Sequence, residues 1–225
     1  MQLLPVLKEN AGALTPSHEI IVIDASEPLD NTAEVCQVNG VRHVYRTGGD
    51  HYGDAVRTGI AEAQGRWILF MDADGSHNPI HLQRLWAKRE SFDIVVGSRY
   101  VAGGETENPW ILICMSFIVN LTFRMAFHLD CRDVTNSFRL YRGAPLRALT
   151  LQSDDFDIIE EILIRIVAGP AQGTVTEVPV VFERRKAGES KRKLMAFAAS
   201  YLTTLARLRK FREAARRETV IQKSK

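Results

Sequence analysis

Four short apolar runs, separated by stretches with helical spacing, limit this 225-residue chain to very few architectures. They are Glu19–Asp24 (EIIVID), Val41–Arg46 (VRHVYR), Trp67–Met71 (WILFM) and Asp93–Ser98 (DIVVGS). Runs of this length, β-branched or alternating, read as strands. Between them, Asp54–Ala63 carries small and apolar residues at helical spacing and ends at Gly65. Asn78-Pro79 opens another helix, over roughly residues 79–88, with Asn as N-cap and Pro at the first helical position. Strands alternating with helices mean a mostly parallel sheet with helices on both faces, an α/β chain.

After Val101 the rhythm changes. Trp110–Phe127 (WILICMSFIVNLTFRMAF) is the longest apolar stretch, near the lower length limit for a membrane-spanning helix. Asn120 and Arg124 interrupt it, and an arginine at depth is costly, so an amphipathic or interfacial helix is expected rather than a span. Ser137–Arg142 reads as a strand, Asp157–Val167 as an amphipathic helix and Val175–Glu183 as a late strand. Pro179 cannot donate to a ladder, which puts that last strand at an edge. A helix over Lys193–Arg217 closes the chain. No repeat or linker divides it, so one domain over 1–205 is expected, followed by a basic tail over 206–225. MQLLPVLKEN places an acid and a proline where a secretory signal needs an apolar core, so no such signal is expected. The three cysteines, Cys36, Cys114 and Cys131, form no C-x-x-C pair and are too far apart for a disulfide scaffold, which points to a reducing, cytoplasmic compartment.

The formal net charge of +2 hides an asymmetry. Residues 183–225 carry 14 Lys/Arg against 4 Asp/Glu, while residues 1–182 carry 15 against 23. A basic tail on an acidic body suits an anionic partner, although a solvated helix has the same composition. Leu194, Phe197, Tyr201, Leu205, Leu208 and Phe211 recur at three- and four-residue spacing in the closing helix. Such a stripe with cationic flanks either lies on an anionic membrane or packs on the sheet. The chain has no nucleic-acid reading motif or aromatic platform, so nucleic acid is not an expected partner.

In open α/β sheets ligands bind beyond the carboxyl ends of strands. Asp24 ends one strand here, and Asp72-Ala73-Asp74 ends another. Alternate carboxylates at such a place suit one hard divalent cation shared with substrate phosphates, although an Asx turn uses the same residues. His77 and His81 stand four apart, but no third ligand has matching spacing and Asn78-Pro79 breaks the helix start between them. His77 is expected near the Asp72–Asp74 turn rather than on a metal.

The run Gly49–Pro79 (GDHYGDAVRTGIAEAQGRWILFMDADGSHNP) resembles the central block of glycosyltransferase family 2, and within it the dolichyl-phosphate mannose synthase branch. Asp72, Ala73, Asp74, Ser76, His77 and Pro79 match that branch's D-A-D-x-S/Q-H-x-P. Ile94–Gly104 resembles its G-S/T-R-Y segment, Asp133–Arg142 its D-x-T-S-G-F-R-x-Y/F, and Phe182–Lys191 its F-x-x-R-x-x-G-x-S-K. The blocks keep their order over about residues 17–205, which makes them far more specific together than singly.

The resemblance implies a GT-A-type, Rossmann-like domain that moves a sugar, with inversion, from a nucleotide donor to a polyprenyl phosphate. GDP-mannose is the default donor, and UDP sugars stay open. Asp72 and Asp74 would hold Mg²⁺ or Mn²⁺ and the donor diphosphate, with Ser76 as a weak ligand. Asp24, Asp72 and Ala73 would lie against the nucleotide. Asp74, Arg99 and Arg185 would serve the transfer. Arg99, Ser116, Arg185, Ser190 and Lys191 would receive the acceptor phosphate. A chain with these partners is expected on the cytoplasmic face of a membrane.

Three departures stand out. The branch's opening strand, ending P-x-Y-N-E, has no counterpart ahead of QLLPVLKEN, so an N-terminally incomplete sheet is expected. The acidic pair usual after the next strand is Asp24-Ala25-Ser26, with one carboxylate fewer. Ser116 follows Ile111–Met115, without the basic residue the branch often has there. Two further readings therefore stand beside the first: a transferase of the same fold with another acceptor, and a non-catalytic relative that binds a membrane or a partner.

Overall fold

The strands read from the sequence are present, but they assemble into three sheets rather than one. The computed structural model describes residues 3–184 and 194–223. Helix α1 (Leu3–Leu14) leads to β1 (Ile21–Asp24), α2 (Thr32–Val38), β2 (Arg42–Tyr45), α3 (Tyr52–Glu62) and β3 (Trp67–Phe70). A 3₁₀ turn at Pro79–His81 enters α4 (Leu82–Lys88), followed by β4 (Ile94–Ser98), β5 (Glu105–Thr106) and α5 (Trp110–Phe127). The second half holds β6 (Arg139–Arg142), α6 (Gly143–Arg147), α7 (Ile158–Val167), β7 (Val175–Pro179), β8 (Val181–Phe182) and α8 (Leu194–Lys223). The expected strand over 175–183 is thus two strands, broken after Pro179. Elements α2, β5 and α6 are too short to leave a periodic signal.

The central sheet has the order β3-β6-β4-β7, while β1 pairs with β2 and β5 with β8. Most pairings are parallel, as expected; β6 is the exception, antiparallel to both β3 and β4. β7 lies at the sheet edge, where its proline costs no ladder hydrogen bond.

The apolar runs are continuous because both faces of the central sheet are covered. Ile94 and Val96 point into a cluster with Ile158, Ile162 and Leu163 of α7, whereas Val95 between them joins Leu82 and Leu85 of α4. Side chains alternate across a strand, so neighbouring residues serve opposite cores.

Helix α8 spans the 205/206 boundary between the expected domain and its basic C-terminal helix or tail. Tyr201, Leu205 and Leu208 of its stripe are buried, so this part packs on the body. Asp157 accepts from Ser200 Oγ (2.9 Å) and Thr204 Oγ1 (2.5 Å), and Glu160 accepts from the Tyr201 hydroxyl at 3.2 Å. Burial pushes the Glu160 carboxyl up to about 8. The folded chain therefore keeps this proton at neutral pH, whereas an unfolded glutamate ionises near roughly 4.3. The stabilisation is complete below the unfolded value and is lost as pH rises through the folded one. Glu160→Gln keeps the shape and an acceptor for Tyr201. It is expected to flatten the fall in urea midpoint between about pH 5 and about pH 8; an unaltered profile would mean that Glu160 is ionised in the fold.

Helix α5 has two unlike faces. Asn120, Phe123 and Phe127 are buried, and Asn120 Oδ1 accepts from Val134 N at 2.9 Å. Trp110, Phe117, Ile118 and Met125 are exposed. Its 18 residues have a mean hydropathy of 1.7 and are, by length and composition alone, enough to cross a membrane. The buried face packs against α8, where Arg212 donates to the Ala126 carbonyl at 2.8 Å.

Candidate active site

Strand β3 delivers Asp72 just beyond its last residue, and the chain then turns tightly through Asp74, Gly75 and Ser76. Gly75 has φ +83°, a left-handed conformation that a side chain disfavours. Asp74 Oδ1 accepts from both Ser76 N (3.0 Å) and Ser76 Oγ (2.5 Å). Asp72 Oδ2 accepts from Ser137 Oγ at 3.1 Å, and Asp72 Oδ1 from the Tyr52 hydroxyl at 3.4 Å. Tyr52 stacks on Phe156, with ring centres 4.5 Å apart. Burial, with Asp72 beside it, drives the Tyr52 phenol well above its ordinary range, so it remains a donor. Ala73, between the two acids, is exposed.

His77 lies beneath this turn rather than in it. Its Nδ1 accepts from Asp72 N at 3.0 Å, so Nε2 carries the proton toward Asn136 Oδ1 at 3.1 Å. The ring stacks on Phe138 and meets the edge of Phe182. His81 Nε2 accepts from Val181 N at 3.1 Å. Both rings are thus spent on framework contacts, and the pair is no metal site.

Burial holds His77 below the ordinary histidine range. An unfolded histidine takes a proton near roughly pH 6.5, so acid below that value draws stability from the fold until folded His77 also titrates. His77→Ala is expected to shrink that acid loss and to lower turnover about 10- to 100-fold by freeing the Asp72 backbone. A variant with unchanged turnover would reduce His77 to packing.

Two carboxylates with hard oxygens are a donor set suited to a divalent cation. Among the described residues no three of His, Cys, Asp and Glu gather into a cage. The pair therefore fits an ion whose remaining positions are filled by water and ligand phosphates. Ser76 is fully buried and its hydroxyl is directed at Asp74, which makes it a support for that carboxylate.

A second cluster forms around Arg99, which follows β4. Its Nε and backbone N donate to Asp133 Oδ2 at 2.8 and 2.9 Å, and its Nη2 donates to Asp133 Oδ1 at 2.7 Å. The same Nη2 reaches Thr135 Oγ1 (2.7 Å) and Ser116 Oγ (3.2 Å). Ser116 and Thr135 hydroxyls are 2.8 Å apart. Burial alone would raise the Asp133 carboxyl, but the Arg99 charge and N–H groups hold it below the usual range. Arg99 and Ser116 thus come together as expected, on a strand end and a helix respectively.

Residues 133–137 tie the two clusters into one site. Asp133 and Thr135 hold Arg99, Asn136 holds His77, and Ser137 holds Asp72. Reading DVTNSFRLYR as a single block did not assign these roles, because each partner lies at least 34 positions away.

Asp24 is the last residue of β1. Its Oδ2 is 3.0 Å from His43 Nε2, and its Oδ1 accepts from Ala25 N at 2.8 Å. From another loop, Asp50 Oδ1 accepts from Ser26 Oγ at 2.7 Å and from Ser26 N at 3.1 Å. Nothing local in the sequence marks Asp50 for this place. Arg185, Ser190 and Lys191 lie outside the described residues.

A family model described as glycosyl transferase family 2 matches residues 3–150. The undecaprenyl-phosphate mannosyltransferase of Micrococcus luteus is 30% identical over 208 residues, covering 84% of this chain and 81% of that protein. The dolichol-phosphate mannosyltransferase of Pyrococcus furiosus is 34% identical over 184 residues, covering 79% of this chain and 51% of that one. Among solved structures, glucosyl-3-phosphoglycerate synthase from Mycobacterium tuberculosis, in complex with Mn²⁺, UDP-glucose and phosphoglyceric acid, matches with a TM-score of 0.68. It covers 93% of this chain and 75% of its own at 15% identity, which is a likeness of fold.

Proposed function

Because the chain belongs to glycosyl transferase family 2, we propose that it carries a sugar from a nucleotide-sugar donor to the phosphate of a polyprenyl lipid. Mannose fits the names of its relatives in Micrococcus luteus and Pyrococcus furiosus. The observation that carries the acceptor is Ser116. It stands in the Arg99 cluster and also on α5, whose opposite face is exposed and apolar. An anion-binding cluster at the foot of a lipid-facing helix is what a phosphate on a membrane-embedded chain requires.

In this reading Asp72 and Asp74 hold the divalent cation, Mg²⁺ or Mn²⁺. The ion supplies charge neutralisation for the departing nucleotide diphosphate. The exposed Ala73 backbone and Asp24 face the nucleotide. Ser76 and His77 fix the two carboxylates in place before the donor arrives, so little reorganisation is left for the reaction. Arg99, already oriented by Asp133, presents its guanidinium with the Ser116 and Thr135 hydroxyls to the acceptor. Arg185, Ser190 and Lys191 complete the anion-binding set. A phosphate monoester is anionic at neutral pH, so the acceptor oxygen needs little help from a base. A single displacement at the sugar carbon inverts its configuration.

The exposed apolar face of α5 supports a peripheral position at a membrane, and we propose that the body lies on its cytoplasmic side. The exposed Cys114 thiol on that helix, unpaired like Cys36 and Cys131, suits a reducing side. Transfer of labelled sugar from GDP-mannose or UDP-glucose to polyprenyl phosphate in vesicles tests the proposal directly. Lipid-linked product that depends on a divalent cation supports it. Product only on water-soluble acceptors would overturn the acceptor, and no nucleotide-sugar binding at all would favour the non-catalytic reading.

A further inference from the structure

Strand β6 opens on Arg139, which pairs with Phe70, the last residue of β3, and with Val96 of β4. The strand is antiparallel to both neighbours, so its first residue lies near where they end, close to the Asp72 turn and to Arg99. Arg139 is fully buried. Its guanidinium bonds main-chain oxygens: Nε donates to Asn136 O at 2.6 Å, Nη2 to Val134 O at 2.6 Å and to Asp133 O at 3.4 Å, and Nη1 to Ile159 O at 3.2 Å.

Among the described residues no carboxylate is paired with this cation. Asp133 gives its oxygens to Arg99, and Glu160, beside Ile159, keeps its proton at neutral pH. A buried charge without an ion partner is unfavourable unless its N–H groups are used. Position 139 shares a sheet face with Tyr141, which sits in the apolar cluster of α7. An apolar residue there would join the core without desolvating a charge. Packing alone therefore does not call for arginine, whereas the carbonyls do.

Three of those carbonyls belong to one loop. Asp133, Val134 and Asn136 are buried and lie outside any helix or strand. Buried carbonyls with no ladder need a donor. Arg139 supplies all three, with a rigid fork that lysine lacks. The side chains of the same loop are thereby left for the site: Asp133 and Thr135 meet Arg99, Asn136 meets His77, and Ser137 meets Asp72.

We propose that Arg139 is a positioning residue for the donor and acceptor halves of the site together: it clamps the main chain of residues 133–137 and so sets Asp72 and Arg99 in one frame. It touches neither ligand. The kinetic consequence rests on the transferase reading, whereas the clamp rests on the geometry. Releasing the loop would loosen both clusters at once, because one short segment carries partners of both. Misplacement by about 1 Å can lower a rate about 100-fold.

The test compares the full chain with Arg139→Lys, which keeps the charge without the fork, and Arg139→Gln, which keeps an amide donor without the charge. Leu163→Ala, in the same core on α7, is the control for lost stability alone. In both Arg139 variants KM for the nucleotide sugar and KM for polyprenyl phosphate are expected to rise together, with kcat about 100-fold lower. The control should lose Tm with both KM values unchanged. Amide hydrogen exchange reads the clamp without any assay of turnover. Asp133 N, bonded to Glu177, and Val134 N, bonded to Asn120, should exchange faster in the Arg139 variants than in the control, relative to the amides of β1 and β2. KM values that match the control, a rise for one substrate alone, unaltered exchange at the two amides, or failure of both variants to fold would make Arg139 part of the core alone and overturn the proposal. Should the unaltered chain transfer no sugar, the transferase reading falls by itself and the exchange experiment decides the clamp.

Discussion

Asp74→Asn, and separately Asp72→Asn, should leave the fold intact and lower turnover by about 10³-fold or more. The exchange keeps the shape of each side chain. An amide at position 74 would still accept from Ser76, and one at position 72 would accept from one of Ser137 and Tyr52 and turn its NH₂ toward the oxygen of the other. What disappears is one negative charge at the point where, in the proposed function, a cation and a diphosphate would meet. Several kcal/mol of transition-state charge stabilisation rest on that charge, and each ~1.4 kcal/mol is about tenfold in rate. Thermal unfolding should shift little, because both carboxylates are partly exposed. The measurements are a cation titration of donor binding and a steady-state assay on the same preparations. Full activity in either variant would remove that residue from the metal site.

Breaking the pair between Arg99 and Asp133 should cost stability as well as activity. Asp133 is fully buried, and Asp133→Ala would leave the Arg99 guanidinium charged and unpaired beneath the surface. Removing one partner of a buried pair typically costs about 3–5 kcal/mol. That is a large share of the roughly 5–15 kcal/mol that holds a domain together. Replacing both partners, Arg99→Met with Asp133→Leu, should recover much of this loss, since apolar substitutes avoid the desolvation of two charges. Activity should not recover, because the group proposed to meet the acceptor phosphate is gone. Urea unfolding of Arg99→Met, Asp133→Leu and the double closes the cycle. A double variant as unstable as Asp133→Ala would show that the buried site needs the ion pair itself.

Both predictions rest on residues that the sequence treats unequally. Asp72-Ala73-Asp74 stands out because an apolar run ends directly in two acids, which is a local pattern. Arg99 stands out only through the motif around it. Asp133 and Thr135 carry no local sign of their purpose: an acid and a hydroxyl in DVTNS suit any turn. They acquire roles because β6 lies between β3 and β4, bringing residues 133–137 between the ends of those strands.

Helix α5 illustrates the same division. Its limits, Trp110 and Phe127, are legible because the longest apolar stretch of the chain starts just after Pro109 and stops just before His128, the residue that the structure finds in the αL conformation. Which of its faces is free is not legible. Asn120 would pass for a polar interruption in a lipid-facing helix, yet it is buried against Val134 N, while Phe117 and Ile118 are exposed. The closing helix shows the reverse: a stripe suited equally to lipid or protein is placed against protein at Tyr201, Leu205 and Leu208 by the acceptors Asp157 and Glu160.

By itself, the sequence determined the α/β class, the positions of the major strands and helices, and the family, because these depend on short-range periodicity and on residue order within single blocks. Only the tertiary structure decided that His77 supports Asp72, that Asp50 stands beside Ser26, and that Asp133 holds Arg99. Those facts depend on which strand edges meet and in what register. Pairings of that kind join residues tens of positions apart, and no local pattern of residue types encodes them.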